Sequence, residues 1–308
     1  MAITATLVKE LREKTNAGMM DCKKALEETQ GNFDAAIEWL RVKGLSAASK
    51  KAGRVAAEGL VYAESNGKVG VVVEINSETD FVARNDGFKE FVKNIADHVT
   101  HSAPTTEILE QAYHKNPSQK VGDLLKETIA KIGENVVVRR AQKYEASATS
   151  YVHTYIHGEG KIGVLLEVAA GTATALTAPE FKTFTQDVAL HIAAMNPMAL
   201  SADQVPAEVV SKEKEILKAK NLEQGKKAEM IDKIVEGQIR KFLAESCLVE
   251  QAFVKNPDLK VSDYAKETAK KVGTTVEIKK FVRFELGEGI EKKSTDFAAE
   301  VAAQVKGH

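Results

Sequence analysis

The 308-residue sequence is poor in cysteine: Cys22 and Cys247 are its only two, and they lie far apart. That usage excludes a disulfide framework and fits a reducing cytosol. It also argues against a cysteine metal site, which needs closely spaced thiolates. A charge surplus is missing as well. The 43 basic and 44 acidic residues leave a formal net charge of −1, where a dedicated nucleic-acid binder shows a basic excess. Lysine pairs such as Lys23-Lys24 and Lys226-Lys227 have acidic neighbours, as on solvated faces. No apolar run approaches the ~18 residues of a membrane span. The first residues alternate apolar and charged, unlike a signal peptide. The expected location is the cytoplasm, with neither membrane nor nucleic acid as a direct partner. Nor can a Ser-His-Asp or Cys-His constellation be assembled. A phosphate-cradling Gly loop with its Lys and a metal-ligand spacing are both missing. The expectation is a protein without bond chemistry, cofactor or metal.

What is present begins with short helices. Thr4 to Thr15 places Leu7, Val8 and Leu11 on one face, and Asn16-Ala17-Gly18 breaks it. Met19 to Glu28 forms a second helix. Asn32 then caps a third, lined by Phe33, Ala36, Ile37 and Leu40, with Gly44 as its stop. Met19 and Met20 follow a Gly turn, and both cannot easily point inward. An exposed Met offers an adaptable surface to a partner, while a filler in a small core is the plainer role. Residues 45–59 read as a linker, with a helical alternative.

From residue 60 the sequence repeats itself. Gly67-Lys68-Val69-Gly70-Val71 recurs as Gly160-Lys161-Ile162-Gly163-Val164, a shift of 93 that also carries Phe88 to Phe181 and His98 to His191. Beyond Glu110 the shift becomes 140, and 16 of the 36 positions from Glu110 to Glu145 are identical in the two copies. That is too many for coincidence. The change of shift marks an insert of about 47 residues in copy two, between Pro197 and Glu250. Each copy predicts a hairpin with its turn at Asn66-Gly67 or the equivalent, then two helices and a closing strand. The fold class is α+β, with small antiparallel sheets and helices on one face. The insert reads as an antiparallel helical hairpin. Its apolar stripe either serves self-association or is covered by the hairpin itself.

The two copies act as controls for each other. Phe88, Phe91 and His98 occur in both, so they are scaffold. Thr79-Asp80-Phe81-Val82, at the end of the apolar run Val69 to Ile75, behaves differently. It maps onto Thr172-Ala173-Thr174-Ala175, which lacks both carboxylate and ring. A need of the unit itself would appear twice, so Asp80 and Phe81 point to function and an outward Phe81. An exposed ring beside an acid suits a wedge that fills a partner's pocket.

The run Leu11-Arg12-Glu13-Lys14-Thr15-Asn16-Ala17-Gly18-Met19-Met20-Asp21-Cys22-Lys23-Lys24-Ala25-Leu26 resembles the first signature of bacterial translation elongation factor Ts. Glu74 to Arg84 resembles the second, and the similarity extends over the whole chain. The resemblance implies a guanine-nucleotide exchange factor that binds elongation factor Tu with GDP. It would promote GDP release by displacing Mg²⁺ and would stabilise the nucleotide-free state. Thr79, Asp80, Phe81 and Val82 would form the wedge. Leu11, Arg12, Met19, Met20 and Lys23 of the amino-terminal helices would touch the partner, as would His157 of copy two. The implied organisation has a three-helix ubiquitin-associated-like module with linker at 1–55, and copy one at 56–145. Copy two occupies 146–197 and 246–285, interrupted by the hairpin at 198–245. A helical module at 286–308, with a cap-like Ser294-Thr295-Asp296, closes the chain. Two other classes compete: a plain binding adaptor, and an enzyme with a cleft between the repeats.

Overall fold

The computed structural model describes residues 3–15, 17–103 and 107–291; the helix expected over 294–301 lies outside them. The chain forms two compact units. The first takes the described residues of Met1–Tyr62, Val73–Ala141 and Glu285–His308, the second Ala63–Val72 and Gln142–Phe284.

The first unit starts with α1 (Ala5–Thr15), α2 (Met19–Glu28) and α3 (Phe33–Lys51). Val8 and Leu11 meet Cys22, Ala25, Leu26 and Ala36 in a small buried core. Asn32 caps α3, its side chain accepting from the Ala35 N–H at 3.0 Å, which satisfies an orphan donor of the first turn. Gly44 does not stop this helix, as its sequence context suggests it should; α3 continues to Lys51. The glycine serves close approach instead, since a Cβ there would lie 3.2 Å from the Ala130 Cβ. The linker expectation thus gives way to helix as far as Lys51.

Strands β1 (Glu58–Ser65), β2 (Val69–Ser77) and, later, β5 (Val136–Glu145) form a sheet ordered β1-β2-β5. Asn66 Oδ1 accepts from Lys68 and Val69 N–H groups at 2.9 and 2.8 Å, and Gly67 takes φ +87° in the turn. Gly70 to Ser77 are all buried, so β2 is covered on both faces, with Val71, Val72, Val73 and Ile75 in the core and Glu74 and Asn76 buried beside them. After β2 come α4 (Asp80–Arg84) and α5 (Asp86–His101). The latter buries Phe88, Phe91, Val92, Ile95 and Val99 at helical spacing. A short antiparallel ribbon, β3 (Ala112–Tyr113) with β4 (Asn116–Lys120), leads into α6 (Val121–Ile132). Glu74, fully buried on β2, is held by Arg139 Nη1 at 2.9 Å, Arg140 Nε at 2.6 Å and the Gly287 N–H at 2.8 Å. Burial alone would raise its pKa, but those donors outweigh it and hold the carboxyl below its ordinary value.

The second unit has the sheet order β10-β7-β6, from β6 (Ser150–His157), β7 (Ile162–Ala170) and β10 (Val276–Glu285). β6 and β7 pair antiparallel from Ser150 opposite Ala169 to His157 opposite Ile162. Helix α7 (Pro179–Met195) lays Phe181, Phe184, Val188 and Ile192 on this core. Helices α8 (Ala207–Glu223) and α9 (Ala228–Ser246) form the inserted pair. Ile231, Val235 and Ile239 are buried between them with Val210, Leu217 and Leu243, while Ile216, Leu222 and Met230 are exposed. A second ribbon, β8 (Ala252–Phe253) with β9 (Asn256–Lys260), precedes α10 (Val261–Val272). Among the described residues no helix is long and apolar enough to cross a membrane.

The two scaffold histidines have matching surroundings. His98 Nε2 lies 2.8 Å from Gln111 Oε1 and its Nδ1 accepts from the His114 N–H at 3.3 Å. His191 Nε2 lies 2.9 Å from Gln251 Oε1 and its Nδ1 accepts from the Val254 N–H at 3.1 Å. An accepting Nδ1 fixes the neutral tautomer, and burial lowers both pKa values below the ordinary 6.5. A depressed histidine pKa gives stability that is complete above the unfolded-state value. That stability is lost as pH falls through the folded-state value. The unfolding midpoint should therefore fall between pH 7 and pH 5. The decline should be shallower in a His98→Asn, His191→Asn variant, itself less stable at pH 7, when both proteins are followed by circular dichroism.

Candidate partner-binding site

The loop after β2 turns sharply, and three groups distant in sequence brace it. Thr79 donates its N–H and its hydroxyl to the two oxygens of Glu134, at 3.0 and 2.7 Å. Glu78 Oε1 accepts from the Asn135 N–H at 2.6 Å. Asn135 in turn donates to the Arg54 carbonyl at 2.8 Å, and the Arg54 guanidinium stands 3.4 Å from Glu78. Ser77 Oγ closes the turn on the Thr79 carbonyl at 2.9 Å. Thr79 is the N-cap of α4, but its side chain makes no cap bond; the hydroxyl is spent on Glu134 instead. At the other end Asn85 caps α5, accepting from Gly87 and Phe88 N–H groups at 2.9 and 3.2 Å.

Between these fixed ends α4 is five residues long. Val82 and Ala83 are each only 9% exposed and anchor it inward, whereas Phe81 is 78% exposed. Asp80 is also exposed and pairs with Arg84 at 3.3 Å. The ring of Phe81 walls a groove of about 490 Å³, lined further by Val82, Asn85, Thr128, Lys131 and Ile132. Burying a Phe side chain is worth about 1.5–3 kcal/mol, so the turn forfeits that much by holding the ring in water. Hydrogen bonds to charged groups contribute about 1.5–3 kcal/mol each. The Glu134 and Glu78 pairs together therefore offset the exposure. Such a surface can present an apolar anchor to a partner.

The other expected contact residues are scattered. Arg12, Met19, Met20 and Lys23 are exposed, with Met19 at 47% and Met20 at 74%. Leu11 is a correction: it is 0% exposed in the helical core, because its spacing from Val8 puts it on the inward face of α1. It packs in the core that supports α1. Val82 likewise faces inward. His157 is exposed at the end of β6 and meets the Tyr155 hydroxyl at 3.1 Å.

Sequence reasoning missed the bracing residues Glu134 and Asn135, which stand 55 and 57 positions away from the groups they hold. A signal existed. In copy two the places of Glu78, Glu134 and Asn135 are taken by Gly171, Thr274 and Thr275. There Gly171 donates its N–H to the Thr275 carbonyl at 3.0 Å. A Cβ on Gly171 would lie 2.3 Å from Thr274 Oγ1, so copy two leaves no room for a glutamate. Glu78, Glu134 and Asn135 belong to copy one, together with the ring they hold out. Replacing Glu134 by Ala should lower stability by about 1–3 kcal/mol. It should also raise amide hydrogen exchange at residues 78–84, read by mass spectrometry, with little change in the α1–α3 bundle.

The elongation factor TS family model matches residues 78–288. A curated relative from Bdellovibrio bacteriovorus, named Elongation factor Ts, is 68% identical over 308 residues, covering all of both chains. Relatives of the same name from Trichlorobacter lovleyi and Symbiobacterium thermophilum are 50% and 48% identical, each covering 98% of both chains. With a family model over most of its length and full-length relatives of one name, the chain belongs to the elongation factor Ts family.

Proposed function

We propose that this protein is a guanine-nucleotide exchange factor for elongation factor Tu, acting in the cytoplasm during translation elongation and performing no bond chemistry itself. One observation carries this: a phenylalanine 78% exposed on a turn braced from outside its own segment, in one copy of a repeated sequence. The ring is the wedge. Seated in the partner beside the Mg²⁺ end of the nucleotide pocket, it would shift the groups that hold the metal. Mg²⁺ neutralises phosphate charge in such pockets, so its loss weakens the hold on GDP. A ~10⁴-fold faster release needs ~5.5 kcal/mol off the barrier, within reach of one aromatic anchor plus lost metal ligation. By linkage, incoming nucleotide must displace the factor in return.

The roles within the wedge differ. Phe81 enters the partner, Asp80 stands beside it as a hydrogen-bonding or repelling acid, and Thr79 and Val82 hold the turn. Exposed Arg12, Met19, Met20 and Lys23 supply a second contact from the three-helix module of 1–55. His157, in copy two (146–197 and 246–285), supplies a third. The hairpin of 198–245 adds a route to self-association through exposed Ile216, Leu222 and Met230. A plain adaptor would bind the GTPase without changing nucleotide exchange. Fluorescent GDP release from elongation factor Tu separates the two. Phe81→Ala should keep much of the binding and lose most of the acceleration, and Asp80→Ala should lose less. Full acceleration by a Phe81→Ala, Asp80→Ala variant would remove the wedge.

A further inference from the structure

Three side chains outside the turn that carries Phe81 meet at the C-terminal end of α5. Asp97 and His101 stand one turn apart on that helix, and His114 reaches them from the turn between β3 and β4. One ligand-competent atom from each lies within 4.8 Å of the other two. His114 Nε2 is 3.1 Å from Asp97 Oδ2, and His101 Nδ1 is 3.1 Å from Asp97 Oδ1. The imidazoles stack, with centroids 5.0 Å apart and planes within 3°. His114 Nδ1 is buried and has no hydrogen-bond partner. A cation is already at the spot: the Lys115 ammonium lies 2.6 Å from Asp97 Oδ2 and 3.1 Å from Asn94 Oδ1.

Copy two shows how much of this the scaffold needs. Its equivalent lysine, Lys255, pairs with Asp187 at 2.6 Å, and Asp187 occupies the place of Asn94. The places of Asp97, His101 and His114 hold Leu190, Ala194 and Val254. A lysine on the ribbon turn therefore needs one helix carboxylate and no histidine. Copy one moves that carboxylate three residues along the helix, to where two imidazoles face it. Packing does not require the move, but it assembles two nitrogen donors and a carboxylate from two chain segments.

We propose that Asp97, His101 and His114 form a binding site for a divalent transition-metal ion, Zn²⁺ by donor type, with the Lys115 ammonium holding the cation position in the metal-free protein. Two imidazoles and a carboxylate are a zinc donor set, and a water completes the tetrahedron. Bonds of about 2.0–2.1 Å require ligand atoms roughly 3.3 Å apart, so the three must close up. The His101 side chain is 58% exposed, and to bind it must exchange its 2.8 Å contact between Nδ1 and the Asp97 carbonyl for the metal. Lys115 leaves on a flexible stem. The bound ion would tie the end of α5 to the β3–β4 turn, so binding and stability rise together. This departs from the sequence expectation of no metal, which rested on spacing alone.

The test titrates the full chain with Zn²⁺ against a chromophoric chelator near neutral pH, beside His101→Ala, His114→Val and the double variant, all residues that copy two carries. The wild type should bind one Zn²⁺ more than the double variant. Each single variant should lose about tenfold or more in affinity. Zn²⁺ should raise the wild-type unfolding midpoint, and both single variants should lose that rise. A wild-type titration matching that of the double variant overturns the proposal. Should the double variant not fold, His101→Ala decides alone: unchanged Zn²⁺ affinity there is equally fatal.

Discussion

An aromatic ring left in water pulls toward the nearest apolar surface, and the exchange function proposed for this protein depends on a turn that resists that pull. The resistance comes from Glu134. Its carboxylate takes both the N–H and the hydroxyl of Thr79, which fixes the residue where strand β2 gives way to helix α4. With Val82 and Ala83 turned inward on the next positions, the helical repeat leaves Phe81 no direction but outward. Glu78 and Asn135 hold the other side of the same turn. The exposed ring is thus a built feature, maintained at the cost of apolar area that the fold could otherwise have buried.

The doubled sequence separates what the scaffold demands from what is added to it. Both copies place a buried glutamate on the central strand opposite basic residues of the closing strand: Glu74 with Arg140, and Glu167 with Lys280 at 3.2 Å. Both seat a neutral histidine between a glutamine and a backbone N–H. These groups recur because each sheet-and-helix unit must satisfy the same buried polar atoms. The brace, the ring and the Asp97 cluster occur once. Copy two forms the corresponding three-stranded sheet with other residues at those positions.

Much of this was legible in the sequence, for identifiable reasons. The outward Phe81 followed from comparing copies, and the inward Phe88, Phe91 and His98 from their recurrence. Helix periodicity placed Leu11 in the core, and the family resemblance made it a contact; the structure sides with periodicity. Gly44 misled because a glycine after an apolar run marks a helix end as readily as a close approach, and only the neighbour Ala130 distinguishes the two. Glu134 and Asn135 escaped notice because long-range hydrogen bonds leave no local pattern. The metal candidate escaped because its third ligand comes from another segment: Asp97 and His101 are one turn apart, but His114 meets them only after the chain has folded back.

The central claim is that the brace works through the ring, and a double-mutant cycle on GDP release from elongation factor Tu tests it most directly. Phe81→Ala, Glu134→Ala and their combination are compared with the wild type at equal occupancy of the partner. Glu134→Ala should slow release strongly when Phe81 is present and change it little when Phe81 is already gone. Equal, additive losses in both backgrounds would contradict the account, since Glu134 would then act on exchange without the ring.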